Sequence, residues 1–589
     1  MSLTIKGLNR FALWLLLVVL TATILVFPTH LTLEYTSIQS TRIFSNLPFF
    51  AILFCVWLAV LFFLLFSRSG KGEHDWEKLA LVCIFSAVFL GFWTIITHKG
   101  LYDEGIYNAA HVKYMNEVGK IPLGNKVLGY YDFPGLHLIG SFVSQITGLD
   151  VISAVSAIVF FQALLLTALL YVLFKRWLND HPVAPLATLL VIQGNISLDK
   201  LNFFHPRNLG VIMIVMFLVL VSRNKGKLFT TLPDAALMLI VAAATTMVHC
   251  VSSFVLFSIV VGIYIMQRWH REQSENVASL IFFIFLPLAW AMYWAIITFQ
   301  GILATFPEVF SEFTKGNGLW FLKMMAQANV GGSTPLWASV DRLFWWVLIY
   351  GLGSFIGLWN LFRYNKLSAV GKMMTGVFLG IILISAVSTL ASAGGSRFDT
   401  YILYGAFAAV PLLLWFLLQL GDHIRNYALV CLVILFFGLS FPTFLSNNNM
   451  VELDAYYPDE HAYSRFLESN FGAGENLSIY GSSFQLLLIS YYTPDANFTG
   501  MHPVLEMQNV AGLWTDAAWI NSVFQAQVGQ TRQDVIFTLS KRLMLPYEEY
   551  FGVTLDNPLW QKLRDNLSAQ NLIYDNQDVE IFMHIQGGS

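Results

Sequence analysis

Charged residues are scarce in this sequence. They make up 12% of its 589 residues, whereas a soluble globular protein carries about 25%. Hydrophobic residues make up 56%. So few charges cannot cover a water-facing surface over most of this length. The composition therefore predicts an integral membrane protein that has the lipid bilayer as its main surroundings.

Cysteine is scarce as well, and no cluster of basic residues stands out. None of the four cysteines lies in a CxxC motif or at a Cys/His metal spacing, so we expect them at buried apolar positions. They are Cys55, Cys83, Cys250 and Cys431. The net charge is −3, and without a basic groove the sequence excludes nucleic acid as a partner.

The few charges are unevenly distributed. From Val451 to the end the chain holds 6 Lys/Arg and 17 Asp/Glu, a net charge of −11, which leaves +8 for the rest because the whole chain is −3. We interpret this asymmetry as two domains: a transmembrane domain at 1–444 and a soluble C-terminal domain at 445–589. In the second, HAYSRFLESNF predicts a helix, and ENLSIYG, DVIFTL, NLIYD and DVEIFMH predict strands of a small α/β domain.

Apolar stretches of about 20 residues, the length that crosses a bilayer, recur along the first domain. They predict a mainly α fold, a polytopic transmembrane helical bundle of about thirteen spans. The predicted spans are 11–28, 47–67, 78–97, 150–174, 183–198, 208–222, 231–249, 251–267, 277–298, 338–362, 369–390, 400–419 and 425–443. With the N-terminus in the cytoplasm, each inside loop contains Lys or Arg, as the positive-inside rule requires.

One further apolar stretch, 133–147, is short for a span. If it crossed the membrane, the basic loops after it would face outside. We therefore predict that it is an interfacial helix within the first large outer loop, 98–149. The odd number of spans then makes the C-terminal domain extracytoplasmic, in a multi-pass protein of the cell envelope.

The first large outer loop opens on the sequence His98-Lys-Gly-Leu-Tyr-Asp-Glu-Gly, in which Asp103 and Glu104 are adjacent. A carboxylate beside apolar material can have a raised pKa and accept a proton from a hydroxyl. Two ordinary acids in a solvated loop would give the same pattern. The pair is the strongest candidate for catalysis in the sequence.

Polar residues in other segments fall at the same predicted outer level. Asp132 precedes the interfacial helix, where it could also act as an N-cap with Pro134 in the first turn. Each residue alone is explained by an interfacial ion pair or by snorkelling. Together they suit a lipid-linked phosphate, because arginine binds phosphate through a planar fork of donors. The residues are His137, His205, Arg207, His249, Arg397 and Asp399.

The layout resembles the GT-C superfamily of membrane glycosyltransferases, which use polyprenyl-phosphate-linked sugars. That family has an acidic pair in the first large outer loop, then an interfacial helix that often opens with Tyr-Pro-Pro and carries a later His. Asp103-Glu104 and Tyr131-Asp-Phe-Pro-Gly-Leu-His137 are similar to these elements. Arg397 followed by Tyr401 is similar to an Arg-Tyr stretch that opens a late helix. No WWD-type tripeptide occurs in the C-terminal domain, which counts against an oligosaccharyltransferase.

The resemblance implies an enzyme that moves a sugar from a polyprenyl-phosphate-linked donor to a hydroxyl of a glycan, lipid or protein acceptor. Asp103 would be the general base, and Glu104 would orient it or bind a divalent ion such as Mg or Mn, although the spacing itself implies no metal. The remaining roles are phosphate binding by Arg397, Arg207, His205 and His249, and substrate contact by Tyr102, Asp132, His137 and Tyr401.

Two other functions share some of these features. A transporter or flippase for a lipid-linked saccharide would place ionisable or helix-breaking residues near the bilayer midplane. Here the charges cluster at the outer interface and the predicted spans are nearly free of them, which favours the enzyme. An O-antigen ligase or polymerase also uses arginines and histidines in outer loops, but it does not need the early acidic pair.

The predicted topology can be tested by cysteine labelling. In a parent protein whose four cysteines are replaced by alanine, Gln145→Cys and Gly500→Cys should both react with an impermeant maleimide added outside intact cells. A cysteine in an inside loop, such as Lys225→Cys, is the matched control and should react only after the membrane is opened. Labelling of position 500 only in opened cells would contradict the topology.

Overall fold

The computed structural model describes part of the helical region of the chain and part of its C-terminal region. The described residues are 104–121, 134–179, 181, 183–192, 204–223, 231–269, 347–363, 367–391, 398–421, single positions within 424–432, 458–471, 477–482, 497–501, 534–540, 571–575 and 579–584. The predicted spans at 11–28, 47–67, 78–97 and 277–298 lie outside them, and 425–443 is described only in part.

Helices dominate the described residues up to 432. They are α1 (Glu104–Val118), α2 (Gly135–Thr147), α3 (Val151–Trp177), α4 (Ala184–Ile192), α5 (Pro206–Arg223), α6 (Leu232–Val248), α7 (Cys250–Trp269), a π-helical turn (Val347–Gly353) that continues into α8 (Ser354–Phe362), α9 (Ala369–Ala391) and α10 (Phe398–Leu417). Eight of the predicted spans coincide with these helices from α3 onward, because a long apolar run fixes a helix by local composition alone.

Three described helices are long and apolar enough to cross a membrane: Val151–Trp177, Pro206–Arg223 and Ala369–Ala386. The shorter apolar helices include Leu232–Val248 and Tyr404–Leu417. The protein is therefore an integral membrane protein with a mainly helical fold, and the total of thirteen spans stays a prediction.

Helix α2 has its apolar side exposed and its polar side buried. Phe142 and Ile146 are 64% and 68% exposed, while His137, Ser141 and Ser144 are buried. A helix in water shows the opposite distribution. At 13 residues the helix is too short to span a bilayer, so its exposed apolar side suits a helix lying against lipid. The predicted cap at Asp132 is wrong, because Pro134 holds the N-cap position and no side chain caps the helix there.

Helices α7 and α9 cross in direct backbone contact. A Cβ added to Gly376 would lie 2.8 Å from the Cα of Ile263, and one added to Gly380 would lie 2.7 Å from the Cα of Ile259. The Ser258 hydroxyl donates a hydrogen bond to the carbonyl oxygen of Gly380 at 2.6 Å. Gly376 and Gly380 form a GxxxG motif, which allows two apolar helices to gain packing contacts where lipid offers no hydrophobic driving force.

The C-terminal part contains one helix and a five-stranded mixed sheet. The helix is α11 (Pro458–Phe471), and the strands are β1 (Leu477–Ser482), β2 (Asn497–Met501), β3 (Asp534–Ser540), β4 (Asn571–Asp575) and β5 (Val579–His584). The strand order is β2-β1-β3-β5-β4, with β1 parallel to β2 and β3, and β5 antiparallel to β3 and β4. The helix and four strands lie where the sequence predicts them, and β2 was not predicted.

An ion pair joins the C-terminal part to α1. The Nζ of Lys113 on α1 lies 2.9 Å from the Oε1 of Glu468 on α11, across 355 residues of sequence. Helix α11 contacts the sheet through Phe466, whose ring centroid lies 4.8 Å from that of Tyr574 on β4. Helix α11 therefore lies on the same side of the protein as α1.

The contact between α7 and α9 predicts a strong dependence on side-chain size. Gly380→Ala should lower the melting temperature in detergent, because its Cβ would overlap the α7 backbone and overpacking costs about 1–3 kcal/mol. Gly351→Ala is the matched control, since its Cβ would meet nothing nearer than 3.8 Å, and it should leave the melting temperature unchanged or raise it. Equal melting temperatures for the two variants would contradict the contact.

Candidate functional site

Four buried histidines meet where several helices end. His111 lies on α1, His137 on α2, His205 immediately before α5, and His249 between α6 and α7. The rings of His111 and His137 stack at 5.0 Å, and those of His205 and His249 meet edge to face at 5.8 Å. Their side chains are between 0% and 7% exposed. These residues form the histidine cluster.

An apolar core fixes the elements around the histidine cluster. It draws side chains from α1, α2, α3, the segment before α5 and the end of α6, so that each element carrying a histidine is anchored. The members include Ile106, Val112, Leu136, Val155, Phe204 and Val248. Because packed apolar side chains have few alternative arrangements, the histidines are held at defined distances.

Two helices begin at the histidine cluster, and a histidine accepts a backbone N–H at each beginning. The Arg207 N–H donates to Nδ1 of His205 at 2.9 Å, and the Ser252 N–H donates to Nδ1 of His249 at 3.2 Å. The first N–H groups of a helix have no carbonyl partner within the helix. Both histidines therefore act as N-caps, in the role that Ser or Asp usually fills.

These caps decide where each imidazole proton lies. A backbone N–H can only donate, so Nδ1 of His205 and of His249 must be an acceptor. A neutral imidazole with an acceptor at Nδ1 carries its proton at Nε2. Both rings are therefore Nε2–H donors, placed at the positive ends of two helix dipoles.

The other pair of histidines is held by α1. Nε2 of His137 lies 2.8 Å from the Oδ1 of Asn108, and Nδ1 of His111 donates to the carbonyl oxygen of Tyr107 at 2.7 Å. Burial lowers the pKa of His137 well below its usual range, and the rings of His111 and His205 lower that pKa further. His137 is therefore neutral at physiological pH and orders the helices around it.

Arg207 adds a full positive charge to the same region. It lies in the first turn of α5, rather than in the preceding loop as predicted, and is 6% exposed. A guanidinium stays protonated in proteins. Together with two helix N-termini and two Nε2–H donors, this charge makes the region suited to an anion.

The structure describes some of the predicted site residues and leaves others outside the described ranges. His137, His205, Arg207 and His249 come together. Glu104 is the first residue of α1, and Tyr401 lies in the first turn of α10. Tyr102, Asp103, Asp132 and Arg397 lie outside the described residues. Within the part that the structure describes, no group of three or more His, Cys, Asp or Glu could hold a metal ion.

Sequence reasoning missed Asn108, His111 and Ser252, which hydrogen-bond or stack with the predicted histidines, and Tyr404, which hydrogen-bonds to Ser252. The available signal was helical spacing. His111 lies two turns after Glu104, and Tyr404 lies one turn after Tyr401, so each shares a helix face with a predicted residue.

The neutral state of His137 predicts a pH-dependent stability. Its folded pKa lies below its unfolded value, so its contribution is fully present above about pH 6.5 and is lost as the pH falls through the folded pKa. The melting temperature of the wild-type protein should therefore fall by a few degrees between pH 7.5 and pH 5.5. In His137→Gln, which cannot be protonated, the fall should be smaller. His181→Gln is the control and should behave as the wild type; an unchanged fall in His137→Gln would contradict the assignment.

Known proteins of similar structure exist, although sequence comparison alone finds none. No family sequence model and no curated protein sequence matches the chain. The oligosaccharyltransferase AglB from Archaeoglobus fulgidus, in complex with an inhibitory peptide and a dolichol-phosphate, matches with a TM-score of 0.51 and 12% identity, covering 88% of this chain and 75% of that chain.

Two further structures of an A. fulgidus oligosaccharyltransferase match as well. One, tethered to an acceptor peptide with the NVT sequon, gives a TM-score of 0.52 and 12% identity over 83% of this chain and 72% of that chain. The other, in complex with Zn and sulfate, gives a TM-score of 0.46 and 14% identity, covering 82% of this chain and 70% of that chain. ArnT from Cupriavidus metallidurans, bound to undecaprenyl phosphate, gives a TM-score of 0.41 and 11% identity, covering 88% of this chain and 99% of that chain.

At these identities the similarity concerns the fold. The AglB and acceptor-peptide structures, with TM-scores above 0.5, are the ones that establish it. The chain has the fold of the A. fulgidus oligosaccharyltransferases in these two structures.

Proposed function

We propose that the protein is a membrane glycosyltransferase that moves a sugar from a polyprenyl-phosphate-linked donor to an acceptor hydroxyl on the outer face of the membrane. The observation that carries the proposal is the convergence of Arg207, the Nε2–H donors of His205 and His249, and the N-termini of α5 and α7. Such an arrangement suits a phosphate that leaves as an anion.

The donor phosphate gains charge when the sugar leaves it. Donors and dipoles fixed before the reaction stabilise that charge without reorganising, and their effect is large where water is excluded. The rings of His205 and His249 meet both conditions, because they are buried and the Nδ1 of each already accepts a backbone N–H. We assign phosphate binding to Arg207, His205 and His249.

We add Arg397 to the proposed phosphate site because of its position next to α10. It directly precedes Phe398, the first residue of that helix. Tyr404 on the same helix reaches Ser252 next to His249, at 2.7 Å between the two hydroxyl oxygens. Tyr401 shares the face of Tyr404 one turn earlier. We assign phosphate binding to Arg397 and substrate contact to Tyr401.

We assign the general base to Asp103, the residue before α1. Helix α1 is bound to the histidine cluster through Asn108 and His111. Glu104 and His111 are seven positions apart, which places the start of α1 about 10 Å along the helix from His111. Glu104 would orient Asp103 or bind a divalent ion, and Tyr102 and Asp132 would contact the substrates.

His137 has a different role in this proposal from the one that the sequence suggested. It is 0% exposed, and its Nε2 is committed to Asn108. We therefore infer that it positions α1 and the neighbouring rings and does not touch a substrate.

The ion pair between Lys113 and Glu468 supports the proposed topology. Two side chains 2.9 Å apart must lie on one side of the membrane. The first outer loop and the C-terminal domain at 445–589 therefore share a side, as ten intervening spans require. We propose that this side is extracytoplasmic and that the N-terminus is cytoplasmic.

The similar structures support the substrate class. AglB was solved with dolichol-phosphate, and another A. fulgidus oligosaccharyltransferase structure holds an acceptor peptide. A polyprenyl-phosphate-linked donor therefore suits this fold. We leave the acceptor as a glycan, lipid or protein hydroxyl.

The proposal is tested with purified protein, a polyprenyl monophosphate and a panel of polyprenyl-phosphate sugars. Arg207→Gln should weaken monophosphate binding roughly tenfold or more, since a hydrogen bond to a charged group contributes about 1.5–3 kcal/mol. Asp103→Asn should keep that binding and lose transfer about 100-fold or more, as loss of a general base does.

Arg223→Gln is the matched control, because Arg223 is exposed at the opposite end of the same helix, α5. It should change neither binding nor transfer. Undiminished transfer by Asp103→Asn would refute the base assignment, and equal binding by Arg207→Gln and Arg223→Gln would refute the phosphate site.

A further inference from the structure

Three buried side chains form a hydrogen-bonded chain between α10 and the start of α7. The hydroxyl oxygens of Tyr404 and Ser252 are 2.7 Å apart, and the Ser252 oxygen lies 2.8 Å from Nδ1 of His249. Tyr404 and Ser252 are 0% exposed, and His249 is 7% exposed. We call these residues the Tyr–Ser–His chain.

The hydrogen bonds of the Tyr–Ser–His chain have one direction. Nδ1 of His249 already accepts the backbone N–H of Ser252, so it carries no proton, and the Ser252 hydroxyl must donate to it. The Ser252 oxygen is then left with lone pairs, and the Tyr404 hydroxyl donates to that oxygen. Every proton in the chain therefore points toward His249.

A glycine makes room for this arrangement. Gly210 on α5 lies so close to Ser252 that an added Cβ would collide with the Ser252 oxygen and lie 3.4 Å from the Cβ of His249. Any larger residue at this position would push the serine hydroxyl away from the histidine. The crossing of α5 and α7 is thus shaped around the chain.

We propose that Ser252 and Tyr404 are positioning residues that hold the ring of His249 in one orientation, in the Nε2–H tautomer that the backbone N–H of Ser252 sets. This inference rests on the proposed function, in which His249 binds the donor phosphate. A ring whose Nδ1 is held by two donors presents its Nε2–H without first rotating or changing tautomer, and such fixed donors bind an anion more tightly.

The Tyr–Ser–His chain also couples two parts of the proposed phosphate site. Tyr404 lies on α10, and Arg397 directly precedes that helix. His249 directly precedes α7. A hydrogen bond across 152 residues of sequence fixes these elements relative to each other. Its loss should therefore affect phosphate binding more than overall stability.

The protein contains a matched pair for comparison. The hydroxyl oxygens of Tyr350 and Ser385 are 2.8 Å apart in the helical part. These two residues lie on the π-helical turn and on α9, neither of which carries a member of the histidine cluster. Removing the Tyr350 hydroxyl deletes the same chemical group and the same kind of hydrogen bond without touching the histidine cluster.

The experiment measures binding of a polyprenyl monophosphate to the full-length protein in nanodiscs. Tyr404→Phe and Ser252→Ala should each raise the Kd roughly threefold to tenfold, the effect of losing one neutral hydrogen bond. The double variant should bind no more weakly than the worse single variant, because the residues act as a unit. Tyr350→Phe and Ser385→Ala should leave the Kd unchanged.

A second readout does not depend on the phosphate. In protein labelled with ¹⁵N-histidine, the His249 signals, identified by their loss in His249→Gln, should report a protonated Nε2 and an unprotonated Nδ1 in the wild type. In Tyr404→Phe and Ser252→Ala they should keep this tautomer but broaden or split, because the ring is no longer held in one orientation. Tyr404→Phe removes a single oxygen atom and is the variant that best preserves folding.

The outcomes separate the two proposals. A Kd that Tyr404→Phe leaves unchanged, or His249 signals as sharp and single in both variants as in the wild type, overturns the positioning role and leaves the proposed function standing. Equal Kd changes in Tyr404→Phe and Tyr350→Phe also overturn it. Failure of the wild-type protein to bind the monophosphate overturns the proposed function and the phosphate role together, while the His249 signals still decide whether the chain holds the ring in one orientation.

Discussion

Helices α5 and α7 begin among buried residues, so their first backbone N–H groups need hydrogen-bond partners within the protein. A membrane protein must satisfy such groups internally. Here the partners are the Nδ1 atoms of His205 and His249. This requirement ties together three properties that are independent in a solvated helix: where the helix begins, how the imidazole is turned, and which nitrogen carries the proton. The polar contacts around the two rings follow from it.

Glycine sets the spacing between the elements that surround the histidine cluster. A Cβ on Gly135 would lie 2.7 Å from Cγ2 of Val248, and one on Gly140 would lie 2.7 Å from Cγ2 of Val112. With Gly210 against Ser252, each of these three helix contacts has a glycine on one side. The helices can therefore approach closely enough for short side chains such as Ser252 and Asn108 to reach the rings. Larger residues would widen the cluster and fill it with water or lipid.

Sequence reasoning located the apolar helices well and the polar ones poorly. Val151–Trp177 was predicted as 150–174 and Pro206–Arg223 as 208–222, because length and apolarity are local properties. The sequence of α1, EGIYNAAHVKYMNEV, carries only a weak apolar face, so it was predicted as part of a loop. Packing against α2 stabilises this helix instead. The predicted cap at Asp132 is wrong because the helix begins two residues later than expected, with Pro134 at the N-cap position.

The sequence predicted that the candidate site residues lie at a similar depth in the membrane, but it did not predict which of them contact each other. Counting basic loops placed His205 and His249 at one height, and their rings are indeed 5.8 Å apart. No local pattern could pair Ser252 with Tyr404, because their contact depends on how α7 and α10 pack. Nor could it show that His137 faces inward, since the polar side of an interfacial helix was expected to face water. Topology follows from charge counts, whereas hydrogen-bond partners follow from packing.

The ion pair between Lys113 and Glu468 has a consequence for how the protein is made. The two residues lie 355 positions apart, and a ribosome adds about 5–20 residues per second. Helix α1 must therefore wait about 20–70 s after its synthesis before its partner on α11 exists. During that interval α1 has no contact with the C-terminal part. The contact can form only after every helix from α2 to α10 has been made.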